Sequence, residues 1–331
     1  MSKYYQSGKF AYIRHSHGEK LVGGYHRDIE PSSAVIPADL GELPPGVDLR
    51  VYLNPVVDHS IIASCSVEAI ATAYEYLLQR HQGKEVTLSR WFIYYNARAA
   101  LDNLVEDSGV SLAQAIQSLQ KHGACGVDIY DDQPGIINEK PPESVYKTIL
   151  PYALESSVAV ATDLSNFKFH LAAGYPIAFG LEVFASFGEV AEDGLVVLPV
   201  GVSSGKQHLE REPHLGSHSL LAVGYSDIDE VVIARNSWGV NWGDQGYCYL
   251  PYEYFNYPDL LGNGWLLRQH QDLPPTQDHW LLGDSLFYQE DYLEEMVLEE
   301  FALEPPGEVD ILDMLEDDDY LSESELEALA E

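Results

Sequence analysis

The sequence predicts an α+β protein of two lobes, one helical and one β-rich. Two observations carry this: capped helical patterns crowd the first half of the chain, and short β-branched or aromatic runs bounded by Gly, Asp and Asn fill the second. At 331 residues and 46% hydrophobic, the chain is long enough for one large core or two small ones.

Residues 1–43 are polar, end in the proline-punctuated "IPADLGELPPGVDLR", and read as an arm leading into a domain over 44–270. After Cys65, Ile70, Tyr74, Leu77 and Leu78 recur at spacings of three and four, so a helix with one apolar face is expected. A second helix is expected at "TLSRWFIYYNARAAL" with Thr87 as its cap. A third, "SLAQAIQSLQKHG", opens at Ser111, stops at Gly123 and points Ile116 and Leu119 inward. Beyond "GYP" the runs "PIAFGLEVF", "SLLAVGYSD", "EVVIARNSW" and "GYCYLPY" read as strands.

Charge is lopsided, with 18 Lys+Arg against 53 Asp+Glu. Residues 271–331 hold 21 of those acids and neither Lys nor Arg, which marks an acidic C-terminal tail, partly helical or disordered. Within it Leu293, Met296, Val297 and Phe301 share one helical face, as an element that docks on a partner or on the domain itself would. Such a field repels nucleic acid and anionic membrane and suits a basic protein partner. No apolar run approaches the ~20 residues that span a bilayer, and the N-terminus lacks an apolar signal segment. Three dispersed cysteines do not make a disulfide framework, so a cytoplasmic setting is expected, with Cys125 and Cys248 as core thiols.

Cys65 stands where a loop gives way to a helix, in "PVVDHSIIASCSVEAIATAYEYL". A thiol attacks an amide only as thiolate, and a helix start, an imidazolium partner and a group that orients the imidazole all favour that form. "GSHSLLAVGYSD" supplies His218 at the mouth of a strand, and "ARNSWGVNWGDQGYCYLPYEYF" supplies Asn236 at the end of the next. Adjacent antiparallel strands bring two such side chains within hydrogen-bond reach. Trp238 can shield the pair from water, while Gly239, Gly243 and Gly246 supply turns. His208, His214 and His218 lack companion ligands at a metal-binding spacing, so no metal site is expected.

The run Asn236-Ser237-Trp238-Gly239, with Trp242-Gly243 and Gly246-Tyr247, resembles the asparagine motif of papain-like cysteine peptidases. "GSHSLLAVGY" is similar to their histidine motif, and "ASCSVEAIA" sits where their nucleophile belongs. "PPGVDLR", "SRWFIYYNARA", "EDSGVSLAQAIQSLQKHGAC" and "LPYEYF" look like a bacterial branch lacking the tryptophan after the nucleophile. The resemblance spans about residues 44–257. It implies a papain-like two-lobe fold, with a helical lobe carrying Cys65 and a barrel-like β-rich lobe carrying His218 and Asn236. It also implies an active-site cleft between the lobes, no cofactor, and a peptide or protein substrate whose backbone pairs with Ser108 and Gly109.

The chain departs from the family six residues before the nucleophile. His59 stands where the family has a glutamine donating to the oxyanion, and Ser60 and Ala63 replace glycines. Losing such a donor typically costs ~3 kcal/mol, and a neutral imidazole N–H is a candidate replacement. The leading expectation is cysteine-dependent hydrolysis of peptide bonds through a thioester acyl-enzyme. Two alternatives stand beside it: a catalytically impaired papain-fold scaffold whose acidic tail binds a basic protein, and a transpeptidase or amidase on the same triad.

Overall fold

Eighteen residues from Cys65 to Gln82 form the central helix, α1, of the computed structural model. The structure describes residues 4–7, 10–13, 41–59, 62–102, 104, 107, 109–149, 154, 156–188, 190–199, 212–268, 273, 277–281 and 285–287. In α1 the expected face of Ile70, Tyr74, Leu77 and Leu78 is buried, and so are the polar positions Glu68, Thr72 and Glu75. The helix is therefore enclosed rather than amphipathic, because Arg90 of the next helix answers its inward carboxylates. Gly83 ends α1 in the left-handed region, its N–H bonded to the Gln79 carbonyl.

Helix α2 (Arg90–Ala99) is capped by Ser89 rather than by the expected Thr87. The Asp132 carboxylate accepts from Ser89 Oγ and from the N–H groups of Arg90 and Trp91, which fixes the first turn there. Thr87 lies upstream, its carbonyl accepting the Val127 N–H. Helix α3 (Leu112–His122) opens and closes as expected, with a reciprocal Ser111–Gln114 capping box and Gly123 at its end, Ile116 and Leu119 inside. Shorter helices α4 (Glu143–Tyr146), α5 (Leu164–Ala172) and α6 (Ala185–Gly188) come next along the chain.

Within the arm, β1 (Tyr4–Ser7) and β2 (Phe10–Ile13) pair antiparallel, so these two segments are strands where no element was expected. The main sheet holds β3 (Gly46–Asp48), β4 (Ser156–Val160), β5 (Ile177–Phe184), β6 (His214–Ser226), β7 (Val231–Arg235), β8 (Tyr247–Pro251), β9 (Leu261–Arg268) and β10 (Trp280–Leu281). Its order is β10-β3-β6-β5-β9-β4, with β7 joining β6 to β8, and every pairing is antiparallel. The four expected strands are β5, β6, β7 and β8. At thirteen residues, β6 is long enough to pair with β5, β3 and β7. A side chain at Gly224 would collide with the Val47 carbonyl, 2.1 Å from where its Cβ would sit, so the close crossing of β3 and β6 requires glycine.

The domain does not stop at 270. Trp280 and Leu281 pair with Val47 and Gly46, and Leu273 and His279 are buried. His279 Nε2 and Trp280 Nε1 both donate to the Ala172 carbonyl at 3.0 Å, and the Asp48 N–H reaches the His279 carbonyl. Aromatic and apolar groups thus anchor a stretch whose acidic composition suggested a solvated tail. Leu293, Met296, Val297 and Phe301 lie outside the described residues. Cys125 and Cys248 are buried, as expected of core thiols. No helix among the described residues is long and apolar enough to cross a membrane.

Candidate active site

Strands β6 and β7 run antiparallel with Leu221 opposite Arg235, so His218 and Asn236 project from neighbouring positions where the pairing ends. His218 Nε2 lies 2.8 Å from Asn236 Oδ1, and the Ser237 N–H donates to the same oxygen at 2.7 Å. With Nε2 donating to the amide oxygen, Nδ1 is the nitrogen free to face a thiol. The Trp238 ring lies 5.0 Å from the imidazole at 33°, and the buried Trp242 meets Trp238 edge-on at 5.2 Å. Trp238 thus packs on the imidazole, with Trp242 against its edge. Gly239, Gly243 and Gly246 all have positive φ and make the turns beneath them.

Cys65 is the first residue of α1, partly exposed, and places its sulfur among the unpaired N–H groups of the helix start. Burial opposes ionisation of the thiol, yet the His218 imidazole beside it and hydrogen bonds from Ser219 draw its pKa below the usual thiol range. Reciprocally, burial opposes charge on His218, and the adjacent sulfur raises its pKa. Both shifts favour a thiolate–imidazolium pair. A contact not anticipated from the sequence locks the two together: Ser66 Oγ and Ser219 Oγ meet at 3.0 Å, each one residue past a member of that pair.

His59 hangs from the same corner. Its N–H donates to the Ser237 carbonyl at 3.0 Å, and Asp58 bridges Trp238. Upstream, Arg235 fixes the segment approaching this loop by donating to the Asn54 and Pro55 carbonyls. The imidazole lies against α1, its Nδ1 paired with Glu68 Oε1, and 4.8 Å from the Trp91 ring. Burial disfavours a charged Glu68, but Arg90 and then His59 overcome it and hold the carboxyl at about 2. Burial likewise opposes the imidazolium of His59, and Glu68 outweighs it, raising the pKa. Glu68 escaped the sequence reading. Its only signal is position, three residues after Cys65 and hence on the same helical face.

Gly109 has φ 76° and gives its N–H to Tyr94 Oη at 3.2 Å. The same hydroxyl donates to Asp107 Oδ1, and Asp107 Oδ2 accepts the Ala63 N–H at 3.0 Å. The expected substrate-pairing glycine is thus tied through Tyr94 and Asp107 to the loop that presents Cys65. Ser108 and His208 lie outside the described residues. His214 pairs with Glu182 on β5.

Similarity to known proteins agrees with this geometry. Residues 153–257 match the family model described as papain family cysteine protease. An uncharacterised peptidase C1-like protein of Acanthamoeba polyphaga mimivirus is 30% identical over 227 residues, covering 65% of this chain and 70% of that protein. The human cathepsin L2 is 28% identical over 62% of this chain and 60% of its own length. Among solved structures, xylellain, a cysteine protease from Xylella fastidiosa, superposes with a TM-score of 0.63 at 30% identity, covering 82% of this chain and 99% of its own. Procathepsin L 3 of Tenebrio molitor, at 18% identity and TM-score 0.54 over 70% and 72%, shares the fold. The α+β architecture, the relatives and the site converge, and the chain belongs to the papain family of cysteine proteases.

Proposed function

We propose that the chain hydrolyses peptide bonds through a thioester acyl-enzyme in which Cys65 is the nucleophile, His218 the acid and base, and Asn236 the orienting group. One observation carries the reading: a single imidazole has Nε2 bound to Asn236 while it lowers the pKa of Cys65 at the start of α1. The thiolate attacks the scissile carbonyl carbon, and the oxyanion gathers donors at the helix start. His218 gives its proton to the departing amine, leaving the acyl group on sulfur. It then takes a proton from water, whose oxygen attacks the thioester, and the acid leaves as the thiol re-forms.

His59 is assigned the role of second oxyanion donor. Its backbone is held beside Asn236 through Ser237 and its ring along the first turn of the helix that starts at Cys65, which supports that placement. Gly109, fixed through Tyr94, is assigned to pair with the substrate backbone. Incubation of the purified chain with a fluorogenic peptide and a thiol-directed epoxide tests the reading. Turnover and labelling of Cys65 are expected, both lost in Cys65→Ala; no turnover and no labelling would reject it. An added amine appearing in the product would mark transpeptidation on the same acyl-enzyme.

A further inference from the structure

Glu68 is a buried acid on the helix that carries the nucleophile, and neither acylation nor deacylation uses it. It bridges Arg90 and His59: Arg90 Nε donates to its Oε2 at 3.1 Å, and the His59 ring meets its Oε1. Arg90 is itself anchored by Glu75, which accepts from its Nη2 at 3.0 Å, so the guanidinium keeps a partner on each side. The charged groups facing His59 are therefore Glu68 from α1, Arg90 from α2 and Asp132 from the segment capping α2.

An ionised carboxylate only accepts hydrogen bonds, so the contact fixes where the His59 proton sits. Nδ1 must carry the hydrogen. In neutral His59 that leaves Nε2 as a bare lone pair, which repels an oxyanion instead of binding it. In the imidazolium, Nε2 carries a second hydrogen and a positive charge.

We propose that Glu68 is a positioning residue that makes the His59 oxyanion donor conditional on protonation, so that peptide cleavage switches off as His59 loses its second proton. The inference rests on the peptidase reading and changes one expectation from sequence. The neutral imidazole is not the replacement for the family's amide; the cation is. Burial and Glu68 together set where the switch falls, and Glu68 moves it upward.

Arg90 makes the idea sharply testable. In Glu68→Gln the amide oxygen must turn to the guanidinium, which donates only, and the amide NH2 then faces His59 Nδ1. That forces the neutral tautomer with Nε2–H, a donor that does not titrate. The experiment measures kcat and KM against pH for the wild type, His59→Gln, Glu68→Gln and the double variant. In the wild type two protons matter above the optimum, one on His218 and one on His59, so kcat should fall about 100-fold per pH unit where both are lost. In both single variants the limb should soften to about tenfold per unit and move to higher pH. Glu68→Gln should also lower the plateau kcat about tenfold with KM unchanged, as a neutral donor replaces a charged one. In the His59→Gln background Glu68→Gln should leave the limb where it is.

Alkylation of Cys65 by iodoacetamide forms no oxyanion and should proceed at the wild-type rate in all four proteins. Coincident limbs in the wild type and His59→Gln would overturn the inference, as would Glu68→Gln slowing alkylation as much as turnover. A wild type that alkylates but cleaves no peptide at any pH would overturn the peptidase reading itself, and this inference with it.

Discussion

The hydroxyls of Ser66 and Ser219 meet at 3.0 Å, joining the residue after Cys65 on α1 to the residue after His218 on β6. Both side chains are buried, so removing either hydroxyl breaks a buried hydrogen bond, at a cost of about 1–3 kcal/mol. Ser66→Ala and Ser219→Ala should each destabilise the fold by that order. The double variant should lose less than the sum of the two. Urea denaturation of the four proteins checks this, and simple additivity would mean that the hydroxyls do not hold helix to strand.

The thiolate–imidazolium pairing makes a prediction about pH. The pKa of Cys65 is lowered from 9.0 by His218, and that of His218 is raised from 6.5 by Cys65. Iodoacetamide should therefore modify Cys65 with a midpoint below that of an ordinary thiol, and His218→Ala should move that midpoint upward. Peptide turnover in His218→Ala should fall by about 10²–10⁴. An unchanged alkylation midpoint would show that the helix start alone ionises the sulfur.

Tyr94 joins two loops, donating to Asp107 while accepting from Gly109. Tyr94→Phe strands the buried Gly109 N–H and frees one Asp107 oxygen, while Asp107 Oδ2 keeps its bond to Ala63. The expected result is a KM several times higher, about 1–3 kcal/mol of lost stability, and little change in the rate of Cys65 alkylation. A fall in kcat with KM unchanged would place the effect at the nucleophile instead.

Two shortened chains separate the clasp around Ala172 from the residues beyond it. A chain ending at Ser285 retains β10, Leu273 and the paired donors on the Ala172 carbonyl; one ending at 270 loses them all. Leu273 and His279 are buried, and Trp280 shares their anchor, so the shorter chain should be less stable by several kcal/mol and melt at a lower temperature. Equal melting temperatures would mean that the clasp contributes nothing.

What was legible in the sequence is what local chemistry encodes. The turns after Asn236 need glycines, and the histidine strand is a continuous apolar run ended by Asp227, so His218, Asn236 and Trp238 can be placed without coordinates. The start of α3 is equally local, since Ser111 and Gln114 cap each other. The misplaced start of α2 has the opposite cause: Asp132, more than forty residues on, decides which N–H groups are satisfied. The burial of Glu68, Glu75 and Arg90 has no local signal, because each carboxylate is answered by a guanidinium on the next helix. The anchors at Leu273, His279 and Trp280 were masked by the acids around them.

One edge of the sheet bears on how the chain is made. Gly46, near the beginning of the domain, pairs with Ser226 on one side and with Leu281 on the other. A nascent polypeptide leaving the ribosome would hold β3 unpaired until β6 has been synthesised, and paired on one side alone until β10 has. Completion of the sheet against which the sulfur-bearing helix packs must then wait until residue 281 has been made, more than two hundred residues after that helix begins.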